Sequence, residues 1–183
     1  MTPPLDPLYW QVVRWTLAGI FALGLLHKLG ARAGFEDAVR NYRLLPARMA
    51  PFVARLFILL EAAVVTALVS GLWLSAAAVL AAGLLALYGI SMAINMARGR
   101  RDIDCGCFGP AGRAASHALN GWLLLRNLVL ISISGLLLLP VAARDLLWLD
   151  LITIATAVAG GLALYTAADQ LIANGTLIKR LLQ

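Results

Sequence analysis

Residues 62–97 read AAVVTALVSGLWLSAAAVLAAGLLALYGISMAINMA, without one charged side chain. A bilayer core about 30 Å thick is crossed by about 20 apolar residues of helix, so this run is too long for a single span. Ser70-Gly71 supplies the break. The run therefore predicts two spanning helices, 51–70 and 73–97. Working outward, three further segments have the same character. Residues 9–26 carry Arg14 near their start, where its stem can snorkel. Residues 119–140 hold Arg126-Asn127 in their first turns. Residues 146–168 are rich in small side chains (Ala157, Ala159, Gly160, Gly161, Ala163), which let helix backbones approach closely in lipid. The expectation is an all-α, polytopic membrane helix bundle of about five spans, one integral-membrane domain over 1–183.

Composition agrees. The chain is 62% hydrophobic and 13% charged, against about 45–50% and about 25% for a soluble globular domain. Lipid must be the solvent for most of this surface. A formal charge of +6 would otherwise suggest nucleic acid, but the basic residues lie between apolar runs, and no soluble domain remains to present a basic face. The chemistry expected of such charge is topology and anionic headgroups, with membrane lipids as partners. No basic region precedes the first apolar run and no clear small-residue cleavage site follows it, so insertion is expected to rely on the first span itself.

Two connections are long and polar. In 27–50, Phe35, Ala38, Val39 and Tyr42 fall at helical spacing, which predicts a short amphipathic helix on the membrane surface, stopped before Pro46. The second, 98–118, carries both cysteines. With five spans, the 27–50 loop, the 98–118 loop and the C-terminal tail share one side. Thirteen of the fifteen Lys and Arg lie there, leaving Arg14 and Arg144 on the other. The positive-inside rule assigns the crowded side to the cytoplasm.

The second connection contains Asp104-Cys105-Gly106-Cys107-Phe108-Gly109-Pro110. Its glycines and proline exclude a regular helix and favour a tight turn. Cysteines at i and i+2 have Cα atoms about 5.5–7 Å apart, near the upper end of disulfide range. A bridge there closes a small strained ring, and strained exposed disulfides exchange readily. Only two cysteines are present, which excludes a disulfide framework. Three readings stay open: thiol–disulfide exchange with one cysteine attacking and the other resolving, soft-metal binding of Cu(I) or Zn(II) by Cys105 and Cys107, or a structural bridge or inert thiols. The nearby arginines favour a thiolate and Asp102 and Asp104 oppose it.

Three other residues are candidates for supporting roles. Glu61 is the one carboxylate deep in an apolar run, where an ionisable side chain is functional or else fixes helix packing. Its packing partners are expected among Arg126, Asn127 and Asn95. Arg126 reads as a headgroup anchor or an acid's partner, and His117 as a base or ligand for the thiols. His27 and Lys28 read as interfacial anchors ending the first span. Trp10, Trp15, Trp73, Trp122 and Trp148 fall near span ends, as in an aromatic belt. No phosphate loop, zinc-protease motif or serine triad occurs. A quinone could serve as electron acceptor, but no residue marks a site for one.

Asn41-Tyr42-Arg43-Leu44-Leu45-Pro46, Glu61 within a span, the Asp104–Gly109 motif and Arg126-Asn127 opening the fourth span together resemble the MauE family of methylamine-utilisation membrane proteins, related to DoxX-like proteins. The resemblance runs from Arg14 to the fifth span. It implies a multi-pass bacterial inner-membrane protein with a DoxX-like four-helix core. It also implies a role, with a thioredoxin-like partner, in disulfide formation, maturation or transport of a client, the disulfide-rich periplasmic small subunit of methylamine dehydrogenase. Cys105 and Cys107 would be the redox pair. That role wants the cysteines where oxidation persists, whereas the charge count places their loop in the cytoplasm.

Overall fold

The computed structural model describes residues 4–100, 119 and 121–181, with 172–181 given as helix backbone alone. Among these residues the fold is all-α. The first helix, α1 (Pro7–Gly30), starts where Asp6 accepts a hydrogen bond from the Leu8 N–H at 2.8 Å and Pro7 supplies a preset φ. That N–H and the Arg144 guanidinium, 3.1 Å away, hold the Asp6 carboxyl below the ordinary carboxylate range. A single residue, Ala31, separates α1 from α2 (Arg32–Asn41). A 3-10 turn at Ala47–Met49 then leads into α3 (Ala50–Ser70), which has Pro51 in its first turn.

Gly71 ends α3 in the left-handed conformation (φ 80°), donating its N–H to Ala67 O at 3.0 Å. Arg14 is more than a snorkelling side chain here. Its Nε and Nη2 donate to Leu68 O and Val69 O at 2.6 and 2.9 Å, satisfying carbonyls that the helix end leaves open. A Cβ on Gly71 would be strained by the positive φ and would stand 3.0 Å from the Arg14 guanidinium, pressing on that contact.

After α3 come α4 (Leu74–Ala97), α5 (Gly121–Leu136) and α6 (Trp148–Leu181). Among the described residues four helical segments are long and apolar enough to cross a membrane: Pro7–Gly30, Ala47–Ser70, Leu74–Ala97 and Trp148–Leu171. The expected span 119–140 is a helix of 16 residues, about 24 Å long. Its apolar run continues through Leu137, Leu138 and Leu139, but these donate to carbonyls three residues back, so the chain tightens into turns before Pro140.

The helices α1, α3, α4 and α5 pack into a four-helix core, with α4 against α5, α1 against α3 and α1 also touching α5. Leu17, Phe21, Val64, Leu68, Leu84 and Leu130 lie at its centre. The sixth helix packs on the outside of α1 and is hardly buried by protein. The amphipathic α2 forms where the spacing placed it. Its apolar face, Phe35, Ala38 and the following Tyr42, is covered by protein through packing on α3. At the opposite end of the bundle a short bridge between Leu5 and Val141 ties the N-terminal segment to the α5–α6 connection.

Small residues do bring α6 close, but the tight point is on α1. A Cβ built on Gly19 would lie 2.8 Å from a Leu162 methyl, whereas Gly160 faces open space and Gly161 meets Thr16 at ordinary contact distance. Gly19→Ile should therefore loosen α6, lowering unfolding stability in micelles by about 1–3 kcal/mol, and Gly160→Ala should change little. Equal melting shifts for the two variants would contradict this packing.

Candidate functional site

The last turn of α1 brings Lys28 opposite Glu61 of α3. Lys28 is 2% exposed and Glu61 3%, and Lys28 Nζ lies 2.7 Å from Glu61 Oε1. Tyr88 of α4 donates its hydroxyl to the same oxygen at 2.7 Å. The Lys28 ammonium also faces two rings, Phe35 of α2 at 5.3 Å and Tyr88 at 5.2 Å, from their centroids. Four helices thus enclose one cation by a carboxylate and two aromatic faces, the geometry in which a desolvated cation is best held.

Lys28 is therefore not an interfacial anchor. Its helix runs on to Gly30, and α2 folds back so that Phe35 covers it. Of the partners expected for Glu61, neither Arg126, Asn127 nor Asn95 bonds to it. Asn95 instead donates to Ser91 O at 3.1 Å and accepts from Arg100 at 3.3 Å. Glu61 Oε2 is buried and accepts no hydrogen bond among the described residues.

Arg126 and Asn127 do share a space with Glu61. A cavity of about 30 Å³ is lined by Lys28, Glu61, Tyr88, Arg126, Asn127 and Tyr165, with apolar walls from Phe21 and Leu130. That volume holds a water, which needs about 10–15 Å³ and two to four polar neighbours. Arg126 pairs with Asp169 of α6, both side chains largely buried, and its guanidinium lies 5.8 Å from the Tyr165 ring centroid. Arg126 is thus an acid's partner, as one of its two readings had it, and Asp169 is a site residue that the sequence did not single out. The Lys28–Glu61 pair and Arg126 of the second pair thus border one small chamber inside the apolar core.

The chamber lies toward the bundle end formed by the C-termini of α1 and α4 and the N-termini of α3 and α5. The same end carries the described flanks of the cysteine segment. Arg100 donates to Asn41 O at 2.9 Å, joining the end of α4 to the end of α2. Leu119 is buried with Tyr42, Met92 and Leu123. Cys105, Cys107 and His117, expected as the redox pair and its helper, lie outside the described residues. Among the described residues no cluster of three His, Cys, Asp or Glu side chains is placed to hold a metal.

Residues 7–140 match the family described as methylamine utilisation protein MauE. The methylamine utilization protein MauE of Paracoccus denitrificans is 40% identical over 131 residues, covering 71% of this chain and 68% of that protein. The proteins of the same description from Paracoccus versutus and Methylorubrum extorquens are 36% and 39% identical, each covering 75% of this chain and 73% of the relative. No solved structure matches. The family match covers α1 to α5 and stops before α6, so Lys28, Glu61, Tyr88 and Arg126 fall within it and Asp169 does not.

Asp169→Asn leaves the Arg126 cation buried without its carboxylate, and should lower stability in micelles by about 3 kcal/mol and speed proteolysis in the α5–α6 connection. Asp37→Asn breaks the exposed Arg40–Asp37 pair and should cost under about 1 kcal/mol. A mild effect at Asp169, comparable with that at Asp37, would show that the inner pair does not hold α6.

Proposed function

Since this chain belongs to the MauE family, whose members carry the name methylamine utilisation protein, we propose that it is a bacterial inner-membrane protein acting in methylamine utilisation by maturing a client through thiol–disulfide exchange. By the resemblance, the client is the small subunit of methylamine dehydrogenase. The observation that carries this reading is that the family match, 7–140, runs through the Cys105-Gly106-Cys107 motif. The described residues nearest that motif on either side pack against the bundle, Arg100 on the end of α2 and Leu119 beside Met92 of α4.

The exchange balances without a metal. A client thiolate attacks one sulfur of the Cys105–Cys107 disulfide, breaking the S–S bond and forming a mixed disulfide. A second client thiolate resolves it, so the client gains a disulfide and the two cysteines take up two electrons and two protons. Transfer of that electron pair to the disulfide of a thioredoxin-like partner, or to a membrane quinone, restores the starting state. Reading the flow in reverse gives reduction or isomerisation of a client bridge by the same atoms. A strained i, i+2 bridge suits either direction because it is readily opened.

Cys105→Ser and Cys107→Ser should each abolish maturation of the dehydrogenase in cells grown on methylamine. One of the two should accumulate a mixed disulfide visible on non-reducing gels. Full maturation by both variants, with no adduct, would eliminate the exchange mechanism. Stoichiometric Cu(I) bound by the purified protein and lost on either substitution would replace it with a metal carrier.

A further inference from the structure

A second cavity, about 270 Å³, opens between α2, α3 and α4. It is lined mainly by apolar side chains, among them Phe35, Val39, Leu44, Phe57 and Leu87, with Tyr42, Tyr88 and Ser91 as polar members. Tyr88 donates to Glu61 and Ser91 to Leu87 O at 2.7 Å, so two of the three polar members are already engaged. With its walls otherwise apolar, the groove suits hydrocarbon. Its volume is below the roughly 300–1,000 Å³ that encloses a drug-sized ligand, so it takes part of a molecule and leaves the rest outside.

The chain segment beside the groove is basic. In sequence Arg43 and Arg48 bracket the lining residues Leu44 and Leu45; both are exposed and have no ion-pair partner among the described residues. Arg43 sits immediately past the C-cap of α2 with φ 48°, the left-handed position that glycine fills most easily. Exposed Phe52, Leu87 and Ile90 continue the apolar surface beyond the groove, as a lipid-facing wall would.

We propose that this groove is a binding site for one anionic phospholipid, an acyl chain lying along Phe35, Phe57 and Leu87 and the phosphate over Arg43 and Arg48. An apolar slot too small for a whole ligand, open beside lipid-facing side chains and edged by unpaired cations, matches a phospholipid in both parts. Its inner wall is Tyr88, which also holds Glu61, so the lipid packs directly against the element that orders the buried ion pair. The site does not depend on the thiol-exchange reading, since it contains neither cysteine.

The test uses the full chain in detergent micelles, with native mass spectrometry counting retained phosphatidylglycerol or phosphatidylcholine of identical acyl chains. Phosphatidylglycerol should be retained preferentially. Arg43→Gly, which suits the backbone it replaces, should cut that preference about fivefold, the effect of about one basic residue near an anionic headgroup. Arg43→Asn, also tolerant of the left-handed conformation, should do the same. Ser91→Leu, which fills the groove, should reduce retention of both lipids, and millimolar inorganic phosphate should not displace the bound lipid. Equal retention of the two lipids, indifference to Arg43→Gly in a protein whose melting is unchanged, indifference to Ser91→Leu, or displacement by phosphate alone would each overturn the proposal.

Discussion

A lysine ammonium and a glutamate carboxylate, 2.7 Å apart and sealed from solvent, impose the constraint around which the rest of the bundle is arranged. Either charge alone in that position would carry a desolvation cost of several kcal/mol. Neutralising both requires the last turn of α1 to face the middle of α3, which sets the relative height of the two helices. It also requires cover, and Phe35 and Tyr88 provide it from two further elements. The short α2 has its place because Phe35 must reach Lys28, and its apolar face then finds α3. One electrostatic requirement thereby positions four segments.

The second pair works on the other side of the same chamber. Arg126 of α5 reaches Asp169 of α6, while Gly19 of α1 admits Leu162 of α6. A helix with little protein around it is thus held by one charged contact and one tight apolar contact. Because the family match ends at residue 140, the pair joins family and non-family parts of the chain. Arg100 and Leu119, which flank the cysteine segment in sequence, are fastened to α2 and to the α4–α5 packing.

Much of the helix frame was legible in the sequence, and the misses share one cause. The boundary between α3 and α4 was clear because Gly71 is both a break in hydropathy and a left-handed cap. The first span was read as ending near residue 26 because His27 and Lys28 look like an interface; the helix continues to Gly30 because Lys28 has a carboxylate waiting. The last expected span closes at 168, one residue short of Asp169; the helix continues past it, with Arg126 neutralising that carboxylate. Hydropathy judges each charge alone, whereas a bilayer judges the pair. A lone acid in one span and a lone base at the end of another was the available signal, and it named Glu61 without naming Lys28. The same pairing alters the topology argument, since two of the thirteen basic residues on the crowded side serve inside the bundle and leave the headgroup count.

The central claim is that Lys28 and Glu61 stabilise this protein as a pair and not as separate polar residues. A double-mutant cycle on unfolding in micelles, with Lys28→Met, Glu61→Leu and the double variant, measures that directly. Each single change should cost about 3–5 kcal/mol by stranding a buried charge, and the double variant much less than their sum, a coupling of about 2–3 kcal/mol or more. Two mild, additive single effects would contradict the account, because they would mean that neither charge relies on the other.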